Sequence, residues 1–337
     1  MSFCDSIKLE KGMYTVGGKS FTDVLEKLDP SENYKGTALE GLDAYQRQLK
    51  RFDIKVSGPG CDTVEKFFCC ADSAVLFPEF LARAIKQGIQ SSEVLSSIVA
   101  ATTKIDGVDY RSISSSITES DSTYIPEGGT IRSVNVAKNP GLVALKKHGR
   151  MLSSSYEALR FQNLDVIAVI LKQIGMDIAK EQLSDAVVEL LGSGNTAASV
   201  IKPGTTGSTL TYSNLLELWK GLSPYRLNVM LASSATINDI LSLSEMRDAN
   251  AGLDFQGTGN IVTPMGAKLI VCEDVTANNI IGLDKDFALQ MVQSGDVLVE
   301  YDKVIDKQLE RAGITMTTGF SRIFKDAVKV LDYSSQS

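Results

Sequence analysis

The sequence predicts an α+β fold in which a long helix, a mixed α/β unit and a set of antiparallel strands follow one another. The first observation is an unbroken helical pattern over residues 163–191. The second is an alternation of helical and strand-like segments over 211–295, and the third is a group of alternating segments over 296–333. Apolar residues recur every three or four positions in a helix and every second position in a half-buried strand, which separates the two kinds of segment.

Within the long helix, Leu164, Ile167 and Leu171 begin a series of apolar residues that share one helical face. At 1.5 Å per residue the helix would be about 43 Å long. Its first half, LDVIAVIL, is apolar almost all round. We therefore expect this end to be covered on several sides, with the helix acting as a spine.

The helix boundaries carry recognisable signals. Asn163 is a candidate N-cap and Gly192 a candidate C′ residue. Upstream, Ser154 with Glu157 three residues later has the pattern of a capping box, which predicts that a first short helical turn begins there.

Residues 1–60 are polar and turn-rich, with two short amphipathic segments at 20–29 and 38–52. Such a segment buries little by itself, so we interpret it as a disordered leader or as an arm that lies on something else. Its GGKS string ends at Ser20 and suggests a phosphate loop, but Met13 stands where that motif needs glycine. We interpret the string as a tight turn before a helix.

The chain becomes apolar from residue 67. The LFPEF string predicts a short helix with Pro78 near its start and Gly88 at its end. Helical spacing then continues through residues 91–105.

Residues 108–153 are rich in Ser, Thr, Ile and Val and alternate like strands. We predict a two-stranded excursion formed by TIRSVNVAK and LVALKKHGRML, with the turn KNPG (138–141) between them. Between residues 120 and 150, five basic residues oppose two acidic ones, which favours docking onto an acidic neighbour; a charged, solvated hairpin is the alternative. The candidate contact residues are Glu127, Arg132, Lys138, Lys146, Lys147 and Arg150.

Residues 192–208 form a Gly/Ser/Thr linker. The string GSGNTA in it matches a dinucleotide-binding pattern, but it follows a helix instead of a strand, which excludes that interpretation. In the α/β unit that follows, TYSNLLELWKGL and ATINDILSLSEM are predicted helices. The predicted strands are LNVMLAS, GAKLIVCEDV and NIIGLD.

Composition excludes several classes of protein. The net charge of −7 argues against a protein that wraps nucleic acid by bulk charge. No apolar run is long enough to cross a bilayer, and the N-terminus lacks the apolar core of a signal peptide, so no membrane contact is expected. The five cysteines are odd in number and two are adjacent, which indicates reduced thiols of a cytosolic environment.

No active site is visible in the sequence. The single histidine, His148, has no recognisable nucleophile motif beside it, and no metal-ligand spacing occurs. The acidic pairs 273–274 and 284–286 are more typical of strand ends than of general acids and bases. Trp219 is expected in the core. We therefore predict no enzyme activity, no cofactor and no metal.

The order of these parts resembles the major capsid proteins of tailed bacteriophages, which have the Hong Kong 97 fold. The strings that carry the resemblance are Leu76–Phe80, Glu127–Gly129, Lys146–Leu159 and Ile280–Lys285, and it extends from about Asp72 to Tyr333. The resemblance implies the following domains: an N-terminal arm (1–75), the first part of a peripheral domain (76–107), an extended loop (108–153), the peripheral spine helix and linker (154–210), an axial domain (211–295), and peripheral closing strands with a tail (296–337).

By this resemblance, the chain would self-assemble into pentamers and hexamers of an icosahedral shell. The shell would form in the bacterial host cytoplasm, become part of the virion, and package double-stranded DNA through non-specific contacts. A scaffolding protein and a portal would be further partners. Some members of the fold cross-link an extended-loop lysine to an asparagine of a neighbour. Lys138, Lys146 or Lys147 would supply the lysine, but no asparagine follows Asn279, so we predict a non-covalent shell.

Two alternatives remain open at this stage. One is an encapsulin-type nanocompartment, which has the same fold. The other, from a different class, is a cytosolic α/β enzyme with its ligand site in 211–295. Self-assembly would separate both shells from the enzyme.

Overall fold

A computed structural model describes most of the chain. The described residues are 7–15, 20–92, 94–116, 127, 135–139, 141–192, 197–203, 209–247, 263 and 265–334. The chain divides into two compact units, each of which is described by itself below. Unit 1 consists of Met1–Glu93, Lys146–Glu181 and Ser294–Thr317, and unit 2 of Val94–Leu145, Gln182–Gln293 and Thr318–Ser337.

The helices of the described residues are α1 (Phe21–Leu28), α2 (Ala44–Arg51), α3 (Ala71–Ala74), α4 (Phe77–Ser91), α5 (Val94–Ile98), α6 (Tyr156–Arg160), α7 (Leu164–Leu191), α8 (Tyr212–Gly221), α9 (Ser234–Ser242) and α10 (Ser244–Arg247). Short 3-10 turns occur at Lys11–Thr15, Ser31–Tyr34, Val64–Phe68, Ile305–Lys307 and Lys325–Ala327. None of the helices in this part of the chain combines the length and apolarity of a bilayer span.

The strands are β1 (Val99–Ile105), β2 (Ile113–Ser116), β3 (Asn135–Lys138), β4 (Lys146–Ser155), β5 (Ser199–Ile201), β6 (Val229–Ala232), β7 (Lys268–Val271), β8 (Asn279–Leu283), β9 (Leu289–Val304), β10 (Leu309–Arg322) and β11 (Val328–Asp332). They form a four-stranded sheet in the order β1-β9-β10-β4, a five-stranded sheet in the order β5-β11-β8-β6-β7, and the two-stranded pair β2-β3.

The core of unit 1 joins the N-terminal segment to the spine. Leu25 of α1 and Leu49 of α2 are buried together with Leu81 of α4 and Leu171 of α7. The amphipathic segments around residues 21–51 therefore do bury apolar surface, and they bury it on their own chain. For the described residues, the interpretation of 1–60 as a disordered leader is wrong. The alternative, an arm that lies on another surface, agrees with the structure, and that surface is the rest of unit 1.

A buried arginine fastens that segment. The guanidinium of Arg47, on α2, donates a 2.8 Å hydrogen bond from Nε to the Asp29 carboxylate and further bonds to the carbonyl oxygens of Asp29 and Leu42. It also lies over the Tyr34 ring, whose hydroxyl donates to Asp29. Arg47 and Asp29 are almost fully buried, so each charge is compensated by its partner inside the unit and not by water.

Unit 2 contains the five-stranded sheet. The central strand, β8, is antiparallel to both of its neighbours, β6 and β11. Strand β6 is parallel to the edge strand β7, and β11 is parallel to the edge strand β5. Helices α8 and α9 cover one face, where the core residues include Leu218, Met230, Ile237, Ile280 and Leu331. The helices and strands predicted in 211–295 are present, but the segment ATINDILSLSEM, predicted as one helix, is divided between α9 and α10.

Several local predictions need correction. Gly88 lies inside α4, which continues to Ser91. The segment 99–105 is strand β1, not helix, because its β-branched residues pair in the four-stranded sheet. Strand β4 continues through Ser154, so the hydroxyl that caps α6 belongs to Ser155, which accepts from the Ala158 backbone N–H.

Other predicted boundaries agree with the structure, and one predicted strand lies in a different sheet. Helix α7 begins directly after Asn163 and ends before Gly192, whose φ is 62°. Ser20 caps α1, as expected for a turn before a helix, and the rest of GGKS lies outside the described residues. The predicted linker contains strand β5. Strand β11, predicted to close one sheet with β9 and β10, belongs instead to the five-stranded sheet.

Candidate assembly surfaces

The first candidate surface is the hairpin formed by β2 and β3. The Val143 N–H donates to the Tyr110 carbonyl and the Asn139 N–H to the Ser112 carbonyl, both at 2.8 Å. The antiparallel ladder continues from Ile113 opposite Lys138 to Ser116 opposite Asn135. The hairpin thus has a hydrogen-bonded base and two antiparallel arms, β2 and β3; residues 117–126 and 128–134 lie outside the described residues.

The base is anchored to β9 by side chains. The Gln290 amide donates to the Thr103 hydroxyl at 2.8 Å and to the Tyr110 hydroxyl at 2.9 Å. The Asn139 amide donates to the Ser112 hydroxyl at 2.6 Å. A two-stranded excursion is therefore present, and one of its strands, β3, lies within the predicted TIRSVNVAK segment, but the predicted partner LVALKKHGRML is not the strand that pairs with it. β3 pairs with β2, and KNPG does not join paired strands, because β4 belongs to the four-stranded sheet. Alternation in a sequence shows that a strand exists without showing its partner.

The structure places the predicted contact residues as follows. Glu127 and Lys138 are exposed, and Lys138 ends the described ladder. Lys146 and Lys147 are exposed on β4. Arg132 lies outside the described residues. Glu127 and Lys138 belong to unit 2, whereas Lys146, Lys147 and Arg150 belong to unit 1.

Arg150 and His148 meet at one carboxylate. Both lie on β4, and both contact Glu181 of α7, Arg150 by a short hydrogen bond and His148 with Nδ1 3.2 Å from the carboxylate. Arg150 therefore links β4 to α7 within unit 1.

An exposed apolar stripe on α7 is the second candidate surface. Val166, Val169 and Ile170 are spaced so that they share one face of the helix, and Val169 is 65% exposed. Met176 extends the stripe by two further turns. The prediction that this end is covered on several sides is wrong for the isolated chain. Helices with apolar residues all round are normally buried, so the stripe is a surface suited to a partner.

The third candidate surface lies on α8. Trp219 is 54% exposed, contrary to the expectation that it lies in the core. Leu216, one turn earlier, is 41% exposed. The apolar spacing of α8 did not reveal this, because the helix carries apolar residues on more than one side and only packing selects the buried set.

The acidic pairs considered as general acids or bases have local roles. The buried Asp284 carboxylate accepts from the backbone N–H groups of Arg226 and Asp286 and from the Asn228 amide, at 2.9–3.1 Å. It therefore organises the loops around β8. Glu273 accepts from the Ser234 N–H at the start of α9. Within the described parts of the chain, no group of His, Cys, Asp and Glu side chains has metal-binding geometry.

A polar hairpin anchored at its base, a long helix with an exposed apolar stripe and a second exposed apolar helix face give the chain several surfaces suited to contact with other protein chains. Residues 140–319 match the family model described as phage capsid protein, and this is more than half of the chain. The chain belongs to the phage capsid protein family and is a major capsid structural protein of the virion shell.

Solved structures support the fold. A virus-like particle from Pyrococcus furiosus is similar with a TM-score of 0.54 at 14% identity, covering 75% of this chain and 98% of the other. The capsid of an empty GTA particle has a TM-score of 0.53 at 15% identity, with 71% and 89% coverage. Microbacterium phage Oxtober96 has a TM-score of 0.50 at 10% identity, with 71% and 90% coverage. No curated protein sequence matches the chain. The predicted α+β fold of the Hong Kong 97-like type is confirmed.

Proposed function

We propose that this capsid protein assembles as pentamers and hexamers into an icosahedral shell that packages the double-stranded DNA of a tailed phage. Assembly would take place in the host cytoplasm with a scaffolding protein and a portal, and DNA would be contacted without sequence preference. The observation that carries the proposal is the β2-β3 hairpin. Its ladder is short and polar, so it contributes little to a core of its own, and a neighbouring copy is the natural support for it.

The domain roles follow the same logic. Residues 108–153 would be the extended loop that lies over a neighbour, and 211–295 the axial domain around the centre of the ring. The exposed lysines of the loop and β4 would meet acidic surface on the neighbour, since the chain carries a net charge of −7. Contacts between two different surfaces of one chain close into rings when the rotation between copies allows it.

The test is assembly itself. The chain is expressed with and without a scaffolding protein and portal, and the products are separated by sedimentation and viewed by negative-stain electron microscopy. Closed shells, or rings of five and six, are expected. A chain that stays monomeric with these partners supplied would overturn the proposal.

A charge-reversed loop sharpens the test. The double variant Lys146→Glu and Lys147→Glu should reduce the yield of shells, whereas Lys146→Arg with Lys147→Arg keeps the charge at the same positions and should assemble normally. Because exposed ion pairs are screened by salt, the wild-type yield should also fall as ionic strength rises. Equal yields from all three chains would exclude a charge contribution from β4.

A further inference from the structure

The outward face of α8 carries an apolar stripe. Tyr212, Leu216 and Trp219 follow one another at steps of four and three residues, which places them on one side of the helix. Tyr212 is half-buried, while Leu216 and Trp219 are 41% and 54% exposed. The neighbouring side of the helix, with Leu215 and Leu218, is completely buried against the sheet.

The composition of this stripe is typical of an interface. Single exposed apolar residues are common on protein surfaces, but a tryptophan aligned with a leucine presents a continuous apolar surface. Tryptophan and tyrosine are also enriched among the residues that dominate binding energy at interfaces. Trp219 is the single tryptophan of the chain.

The position of α8 in the sheet indicates which surface lies opposite in a ring. Helix α8 packs against β11 and β5, at one edge of the five-stranded sheet, and Gly221 allows close approach to Ile201 of β5. The other edge strand is β7, four strand spacings away, or about 19 Å. In a ring of identical copies each contact joins two different surfaces of the chain, and the two edges of the sheet are two such surfaces.

The two edges are complementary. On the β7 edge, Val271 is 48% exposed and is followed by the exposed acidic residues Glu273 and Asp274. On the α8 edge, exposed Lys220 lies next to Trp219, and Lys202 follows β5, 3.7 Å from Asp332. The α8 edge also carries the exposed Glu217, and β7 carries the exposed Lys268, whose ammonium donates to the Ser97 hydroxyl. The opposite charges that matter for the contact are therefore Lys220 on one edge and the Glu273–Asp274 pair on the other.

We propose that the α8 stripe of one copy docks on the β7 edge of the next copy, with Trp219 against Val271 and Lys220 facing the Glu273–Asp274 pair. This inference rests on the proposed function, because it assigns the contact between neighbouring axial domains within a ring. The apolar residues supply burial, and the charges set the direction of the head-to-tail contact.

The wild-type chain provides the first test. Its emission comes from Trp219 when tryptophan is excited selectively, so the spectrum reports on this site alone. Assembled rings or shells, separated from unassembled chain by sedimentation, should emit at shorter wavelength and be quenched less by acrylamide. Identical spectra and quenching in both fractions would overturn the inference while leaving assembly, and with it the proposed function, intact.

Charge reversal provides the second test. Lys220→Glu alone and Asp274→Lys alone should each lower the yield of rings, and the double variant should recover most of it. Asp274 is substituted in preference to Glu273, because Glu273 also accepts a hydrogen bond from the Ser234 N–H and its substitution would disturb the start of α9. Lys325→Glu, at an exposed lysine in the turn before β11, is the matched control and should assemble as wild type. Thermal unfolding of each variant separates loss of assembly from loss of folding.

The outcomes separate the two proposals. If the wild type forms shells but Trp219→Ala and the single reversals assemble equally well, the α8–β7 contact is refuted and the shell remains. If the wild type never assembles with scaffolding protein and portal present, both the shell proposal and the α8–β7 contact are refuted.

Discussion

Gly88 of α4 lies directly against Gly175 of α7. A methyl group on Gly175 would come within 3.0 Å of the Gly88 Cα and would overlap the Ile85 carbonyl oxygen, and a methyl on Gly88 would overlap the Lys172 carbonyl oxygen. The two helices therefore touch backbone to backbone at this point, and the obstructing atoms belong to rigid main chain. Both glycines sit in helices at positions where alanine would otherwise be the better helix former.

Gly175→Ala should therefore lower the free energy of unfolding, although alanine raises helix propensity. Overpacking a core typically costs about 1–3 kcal/mol, which exceeds the propensity gain of about 1 kcal/mol. Urea unfolding followed by circular dichroism measures the difference. Gly12→Ala is the control, since no atom lies within 4 Å of its added methyl; equal stability for both variants would show that the helices can move apart without cost.

Breaking the Arg47–Asp29 pair should destabilise unit 1 strongly. Removing one partner of a buried ion pair leaves the other charged and unpaired, which typically costs about 3–5 kcal/mol. Arg47→Met keeps the length of the side chain and removes its charge. The comparison is Lys8→Met, which breaks the exposed Lys8–Glu10 pair and should change stability by about 1 kcal/mol or less. Denaturant titration distinguishes them, and similar effects would contradict the role of Arg47 as a fastener.

The capping box of α1 should make stability depend on pH in the acid range. The Ser20 backbone N–H donates to the Asp23 carboxylate, and the Ser20 hydroxyl accepts from the Asp23 backbone N–H. Hydrogen bonding by the side chain and then the backbone of Ser20 holds the pKa of the Asp23 carboxyl below its usual value. A lowered folded-state pKa adds stability above the unfolded-state pKa, and this is lost as pH falls through the folded-state pKa. Ser20→Ala should cost about 1 kcal/mol at neutral pH.

The cost of Ser20→Ala should shrink as pH falls below the usual aspartate range, because the charged form of Asp23 is then no longer populated. Thermal unfolding of both chains across the acid range measures this. If the stability difference between the wild type and Ser20→Ala stays constant with pH, the whole effect comes from the hydroxyl cap and none from the charge of Asp23.

The α7 stripe should be needed for assembly and not for folding. Val169→Lys places a charge on a side chain that is 65% exposed, so the free energy of unfolding should change little. Shell yield should fall sharply if another copy covers the stripe. Val169→Leu keeps the site apolar and should assemble normally. A lysine variant that forms shells at wild-type yield would place the stripe outside every contact.

The shell should be held together without covalent links between chains. The chain lacks an asparagine after Asn279, the region in which the cross-linking members of the fold would have the partner of the lysine. Mature particles boiled in detergent should run as a single monomer band on a gel. A ladder of multimers that survives reduction would contradict this.

The periodicity of the chain was sufficient for the elements with strong local signals. The length of α7, with Asn163 before it and Gly192 after it, follows from its apolar repeat and end residues, and the helices and strands of 211–283 follow in the same way. Local signals also excluded a phosphate loop and a dinucleotide site. Local signals could not predict which segments pair. The β-branched run at 99–105 is compatible with a helix face or a strand, and its pairing with β9 decides for the strand.

The candidate surfaces divide along the same line. The sequence by itself determined that the chain has a polar hairpin, a long apolar helix and no visible chemistry, because these depend on composition and local spacing. Only the tertiary structure decided that β3 pairs with β2, that Arg150 is tied to Glu181, and that Val169 and Trp219 face outward. Burial is a property of packing between segments distant in sequence, and an apolar helix with two candidate faces acquires an inside and an outside only when one of them meets a sheet or a helix.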